Sequence, residues 1–320
     1  MRVLYIASQW DYGHRERGPS FEEQSFSPAW EAKACEMKKL DVYQVAKDCG
    51  VANASQVFRR TVSEWKPDII FMVLINSELS VADVKWAGMR SVTVNWFCDD
   101  HWRFEKFSKV YAPHLHLSVT TDKESVAKYR RVKARVLLSQ WASPFRKPVD
   151  AARCVTGRLV FVGQRYGRRS TVMNALAKTG VDACAYGTGW ADGRLPFGQL
   201  GVTFREAGAN LNFSDSWARP WSLRRKRKQL KARVFEVVGA GGLLLTEHTD
   251  GLGEYLEPGV ACLSWRTIPE CIEMARFALD NPAVCGAIAE RGEAEVRRRH
   301  LYCHRVADIL QCVERGGAFA

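Results

Sequence analysis

The sequence lacks any uncharged apolar stretch long enough to cross a bilayer. DIIFMVLI, residues 68–75, is the strongest apolar run and is followed at once by Asn76 and then Glu78, whereas a spanning helix needs about 20 apolar residues. A membrane-spanning reading is therefore set aside. A disulfide framework is missing too: the ten cysteines are scattered and form no C-x-x-C pair. The opening MRVLYIAS has neither the apolar block nor the small-residue cleavage site of a secretory signal, so a reducing cytoplasm is the expected location. Metal ligands are sparse as well. Cys303 lies between His300 and His304, but no second ligand pair stands at a finger-like distance, and no metal is expected. No G-x-G-x-x-G fingerprint, internal repeat or low-complexity tail is present.

Positive charge is what the chain has in excess. A formal net charge of +12 on 320 residues favours anionic partners at long range, whether phosphorylated small molecules, nucleic acid or an acidic membrane surface. The length exceeds what one core normally organises, so two domains are expected. The N-terminal half places continuous apolar runs at residues 2–7, 68–75, 91–97, 115–121 and 135–140, with amphipathic segments between them such as NASQVFRRTVSEW and DKESVAKYRR. Continuous rather than alternating apolarity reads as strands buried on both faces. After a pause rich in proline and polar residues, the rhythm resumes with strands expected at 158–164, 181–187, 209–214, 241–247 and 261–265. Three helical segments close the chain. The expected architecture is α/β, with two doubly wound Rossmann-like domains facing across a cleft. Residues 1–145 would form the first domain, 146–156 a linker and 157–303 the second domain, while 304–320 is a terminal helix. Parallel sheets bind ligands beyond the carboxyl ends of their strands, so the cleft is the expected site.

Four segments carry candidate chemistry. FVGQRYGRR follows a strand; Gly163 permits close approach, and Arg165, Arg168 and Arg169 stand at the start of the next helix, a plausible diphosphate cradle. A glycine turn followed by solvated arginines is the bland alternative. In KARVFEVVGAGGLLLTE, a helix beginning at Lys231 puts Arg233 and Glu236 on one face, where a guanidinium and a carboxylate can reach one ligand; an ordinary surface ion pair is its alternative. NWFCDDHWRF puts Asp99 and Asp100 directly after a strand, able to orient a hydroxyl or take a proton, unless one of them merely caps the next helix. The long first loop, QWDYGHRERGPSFEEQSF, reads as substrate-facing, with Glu22 and Glu23 as possible participants. Upstream of Lys231, the basic run SLRRKRKQLKAR with Trp217 and Trp221 nearby is either a nucleic-acid surface or a solvated loop that steers anions.

The ordered segments WFCDDHWRF, FVGQRYGRR, YGTGW, ANLNFS, KARVFEVVGAGGLLLTE and IAERGEAEVRRRHLYCHR resemble the CgeB-like glycosyltransferases, relatives of the retaining nucleotide-sugar transferases with the GT-B fold. The resemblance runs from about residue 68 onward, and it implies that the terminal helix, 304–320, could cross back to the first domain. It implies a nucleoside-diphosphate sugar as donor substrate, no required cofactor, and a hydroxyl-bearing acceptor such as a glycan, a small molecule or a modified DNA base. By the same resemblance Glu236 would hold the ribose hydroxyls and Lys231 and Arg233 the diphosphate. Gly163 with Arg169 would form the opposing loop, and Tyr186, Gly187, Gly189 and Trp190 would lie beside the nucleoside. Many relatives carry a further Glu two turns before the ribose-binding one; this chain has Lys228 there. A nucleic-acid-binding protein and a nucleotide-sugar epimerase remain the rival readings.

Overall fold

The computed structural model describes residues 1–215 and 228–316; Trp217, Trp221 and residues 222–227 of the basic run lie outside them. The chain divides into two compact units. The first is Met1–Gln140 joined by the helix Tyr302–Arg315, and the second is Trp141–Leu301.

In the first unit six strands form one parallel sheet: β1 (Arg2–Ile6), β2 (Glu36–Leu40), β3 (Ile69–Met72), β4 (Val92–Phe97), β5 (Leu117–Thr120) and β6 (Val136–Leu138), in the order β2-β1-β3-β4-β5-β6. β3, β4 and β5 are buried along their whole length, as strands covered by helices on both faces must be. Leu4, Ile6, Ile70, Met72 and Phe97 pack with Phe58, Val62 and Val84 from the covering helices, and each such side chain contributes about 1.5–3 kcal/mol of burial. The sequence offered no sign of β2. EMKKL is polar and largely exposed, because it forms the sheet edge, where lysines discourage further strand pairing; Lys39 there pairs with Glu23 at 2.5 Å and Glu31 at 3.0 Å.

The first long loop is shorter than the sequence suggested. Ser20 caps a helix at Phe21–Glu31 by accepting from the Glu23 amide at 3.0 Å, so Glu22 and Glu23 belong to a helical first turn. The closing helix Tyr302–Arg315 packs on this one: the Tyr302 ring lies 4.5 Å from Phe26, and Arg305 Nε donates to the Gln140 carbonyl at 2.8 Å.

The second unit repeats the plan with five parallel strands, β7 (Leu159–Val162), β8 (Ala183–Tyr186), β9 (Ala209–Asn212), β10 (Leu244–Glu247) and β11 (Leu263–Trp265), ordered β11-β10-β9-β7-β8. Phe161, Leu211, Leu245 and Trp265 meet Val172, Leu176, Ala275 and Ile288 in its core. Residues 146–156, expected to link the domains, are instead tied into this unit. Arg153 pairs with buried Glu293 at 2.8 Å, and the Cys154 and Val155 amides donate to the carbonyls of Arg205 and Glu206. Among the described residues no helix is long and apolar enough to cross a membrane.

The glycines after the helix Ala232–Gly239 serve close packing. A Cβ on Gly242 would stand 2.3 Å from the Phe204 carbonyl oxygen and 2.8 Å from Asn210 Nδ2; the first contact is backbone and cannot swing aside. Gly242→Ala should therefore destabilise the second unit by about 1–3 kcal/mol, seen as a lower urea midpoint for the fluorescence of buried Trp265.

Candidate functional site

In both sheets the first strand is flanked by the second on one side and the third on the other. Connections from the first and third strands then leave on opposite faces, which opens a crevice at their carboxyl ends. In the second unit that switch point lies between β7 and β9. The chain fills it with the loop 163–168 after β7, residues 213–215 after β9, and Glu247 at the end of neighbouring β10.

The loop after β7 lies against the loop after β8 so closely that a Cβ on Gly187, at φ +134°, would sit 2.3 Å from the Gly163 carbonyl oxygen. Trp190 Nε1 donates to that same oxygen at 2.8 Å, and the Arg165 amide donates to Thr188 at 2.9 Å. Arg165 lies over the Trp190 ring at 5.5 Å and reaches Ser170 Oγ at 2.8 Å, and its Cβ lies 3.1 Å from where a Cβ on Gly189 would be. Tyr186, the last residue of β8, leads into this turn. Gly163, Arg165, Gly187, Gly189 and Trp190 thus form one packed double loop. The Trp190 indole edge is turned onto Phe161 at 6.0 Å, which makes it a brace for that loop.

The helix Arg169–Lys178 begins at this point with no side-chain cap, leaving its first-turn amide dipoles toward the crevice. Arg169 is stacked on Tyr166 at 3.9 Å, and its guanidinium donates to the Gln164 carbonyl at 2.6 Å and to Tyr166 Oη at 2.9 Å. Burial lowers its pKa, the Tyr166 and Asp215 charges oppose that shift, and the Arg233 charge adds to it. Asp215 and Arg233, from two segments far along the chain, are therefore both within electrostatic reach of Arg169.

Lys231 proves to be the N-cap residue, and the helix runs from Ala232 to Gly239, also with no side-chain cap. Arg233 and Glu236 pair with each other one turn apart, Glu236 is only 5% exposed, and the Arg233 guanidinium lies 5.1 Å from the Phe204 ring centroid. A solvent-exposed surface pair is thereby excluded. Lys228 is not on this helix. It bridges to Asp215 in an antiparallel contact and binds Glu247 at 3.1 Å.

Asp215 and Glu247 were not assigned from sequence, whereas their partner Arg168 was. Arg168 donates to Asp215 at 3.0 Å and to the fully buried Glu247. A carboxylate ending the apolar run LLLTE is the one sequence signal that could have pointed here, since a buried charge demands a partner.

In the first unit the paired aspartates separate. Asp100 is 1% exposed and accepts from Ser108 Oγ at 2.5 Å, Thr120 Oγ1 at 2.5 Å and Tyr129 Oη at 2.8 Å. Burial raises its pKa against those three donors. It is an internal anchor with both oxygens engaged, which removes it as an acceptor-side base. Asp99 is exposed and stands in the left-handed region at φ +61°, in N-cap position but making no side-chain cap bond. Its charge and those of Glu22 and Asp11 raise the pKa of Tyr12, after burial, and Tyr12 is itself left-handed at φ +52°. Asp11, Glu22 and Asp99 are therefore within electrostatic reach of Tyr12, at the carboxyl end of this sheet. Two strained non-glycine residues at one end of a sheet are the kind of feature found at functional sites. Among the described residues no three His, Cys, Asp or Glu side chains are grouped as a metal site requires.

Residues 168–311 match the model of a family described as glycosyl transferase-like. No curated protein matches the sequence. Among solved structures, sucrose-phosphate synthase from Thermosynechococcus elongatus superposes with a TM-score of 0.66 at 12% identity, over 98% of this chain and 99% of that one. A glycosyltransferase from Rickettsia africae gives 0.65 at 8% identity, over 100% and 99%. HepE from Anabaena, in complex with UDP and glucose, gives 0.59 at 11% identity, over 97% and 99%. The fold is the GT-B type.

Replacing Asp100 by Asn should cost about 1–3 kcal/mol, because its NH2 group would face hydroxyls that donate to a carboxyl oxygen here, while Asp99→Asn should change stability by under about 0.5 kcal/mol. The sign with pH follows from the raised folded pKa. Asp100's advantage over Asn is largest below its ordinary value of 3.8 and shrinks as pH rises through the folded value. Urea unfolding of both variants across pH 3–8 checks this.

Proposed function

We propose that this chain is a glycosyltransferase that moves a sugar from a nucleoside-diphosphate sugar, with UDP the first candidate nucleotide, to a hydroxyl acceptor. The observation that carries the reading is the convergence of Arg168, Arg169 and Arg233 with a buried carboxylate, Glu236, at the switch point of the second sheet. The GT-B fold and the transferase-like family match over 168–311 support it. HepE's complex with UDP and glucose supports the choice of nucleotide.

In this reading Glu236 takes the ribose hydroxyls, exchanging its bond from Arg233 for bonds from the ligand. Arg168, Arg169, Arg233 and two uncapped helix ends face the diphosphate. As the bond from the anomeric carbon to the phosphate oxygen breaks, negative charge grows on the leaving group, and these groups stabilise that charge more than the ground state. Each well-placed donor contributes about 3 kcal/mol. The reading therefore does not call for a divalent cation. For a retaining course, the acceptor oxygen bonds to the anomeric carbon on the face being vacated, and its proton passes to the departing phosphate oxygen. Asp99 orients the acceptor hydroxyl.

The rival nucleic-acid reading draws on the charge of +12. Within the described residues, Lys228 and Arg233 of the basic run are held on the buried carboxylates Glu247 and Glu236 at one site. An epimerase is told apart by turnover of donor in the absence of any acceptor.

Titration of nucleoside diphosphates should raise the melting temperature of the wild type, since a ligand at 100 times its Kd adds about 2.7 kcal/mol. Glu236→Ala should abolish that rise. A panel of diphosphates that leaves the melting temperature unmoved, while duplex DNA raises it, would reverse the assignment. In a transfer assay, Asp99→Asn should reduce kcat/KM for the acceptor about ten-fold or more and leave the donor KM within two-fold.

A further inference from the structure

We infer that Glu247 is a positioning residue, a buried counter-charge that fixes Arg168 and Lys228 where the leaving diphosphate binds; this rests on the donor-site reading above. Glu247 ends β10 and is 0% exposed. Its Oε1 accepts from Arg168 Nη2 and, at 3.1 Å, from Lys228 Nζ, while Oε2 accepts from the Ser214 amide at 3.1 Å. The backbone locks the same contact, with Ser214 Oγ donating to the Glu247 carbonyl at 2.8 Å and the Gln229 amide to the Ser214 carbonyl at 2.9 Å. Asp215 takes Arg168 Nε at 3.0 Å, and the Trp265 ring lies 5.4 Å from the guanidinium carbon. Arg168 is thus held through Nε, through Nη2 and by an aromatic ring.

Two long cationic side chains placed side by side repel one another, and each has much rotamer freedom to lose. A single carboxylate beneath both removes the repulsion and the freedom together. Ser214 directly follows Phe213 beyond β9, so the cations are gathered on the side of β10 that faces the switch point. The same arrangement explains a carboxylate at the end of an otherwise apolar strand.

The sign of one mutation separates this role from simple electrostatics. If Glu247 acted only through its charge at a distance, removing it would raise the local positive potential and strengthen anion binding. Positioning predicts the reverse. Calorimetric titration of UDP, ADP, GDP and CDP, and of their nucleosides, into wild type and Glu247→Gln should show the best-bound diphosphate losing about ten-fold or more in affinity, with its nucleoside within two-fold. Equal or tighter diphosphate binding by folded Glu247→Gln overturns the inference, as does a loss shared equally by the nucleoside, which marks a purely structural role. Should Glu247→Gln fail to fold, Lys228→Gln replaces a side chain that is 36% exposed; it should weaken diphosphate binding about five-fold and spare the nucleoside, and unchanged binding overturns the inference. A wild type that binds none of the diphosphates overturns the donor reading and this inference together, a result distinct from a binding wild type with an unaffected variant.

Discussion

Buried carboxylates beneath the cations of the second unit are the constraint on which its site depends. Glu247 is wholly enclosed and Glu236 nearly so. An uncompensated charge at that depth costs several kcal/mol, and breaking such a pair by removing one partner is strongly destabilising. Each acid therefore requires its cation, and each cation loses the freedom a surface side chain would keep. The result is a set of charged groups whose orientation is settled before any ligand arrives, the condition under which electrostatic stabilisation of a transition state is most effective.

The two units share a strand order but use the same end of the sheet differently. In the second, guanidinium groups and uncapped helix ends gather at the switch point. In the first, the corresponding end holds Asp99, Glu22 and Tyr12, a set suited to hydroxyl groups. Asp100 supports this end from within: three hydroxyls from separate segments converge on it, so the strand end that carries Asp99 is anchored to the helix and strand beyond. One aspartate is spent on stability and its neighbour is left for the surface.

Identities of 8–12% to the superposed structures show how little side-chain detail the fold itself demands. Parallel strands of continuous apolar residues and helices on both faces suffice for the scaffold. Activity lies in the residues set on it, which is why the charged groups of this chain, more than its topology, carry the functional reading.

Much of the scaffold was legible because the physics that forms it is local. Runs such as VLYI and LVFV are apolar at every position, the pattern of a short strand covered on both sides. EMKKL escaped notice because an edge strand needs no such signal. Glu22 and Glu23 were placed in a loop, although Ser20 with Glu23 three residues later is a helix start. The candidate site was legible only in part. Arg165, Arg168, Arg169, Arg233 and Glu236 stood out by residue type and position, but Asp215 and Glu247, which hold Arg168, did not. Arg168 and Glu247 are 79 residues apart, and Lys228 meets Glu247 only through the bridge to Asp215. Asp99 and Asp100 are neighbours that the sequence treats alike; a left-handed turn at Asp99 directs one outward and the other into three hydroxyls. The amino-acid order alone determined the parallel α/β plan and which loops bear charge, since periodicity and turn chemistry act over a few residues. Which charges are buried, paired or left to meet a ligand was decided by the tertiary structure, because pairing and burial depend on strands and helices brought together across the whole length of a unit.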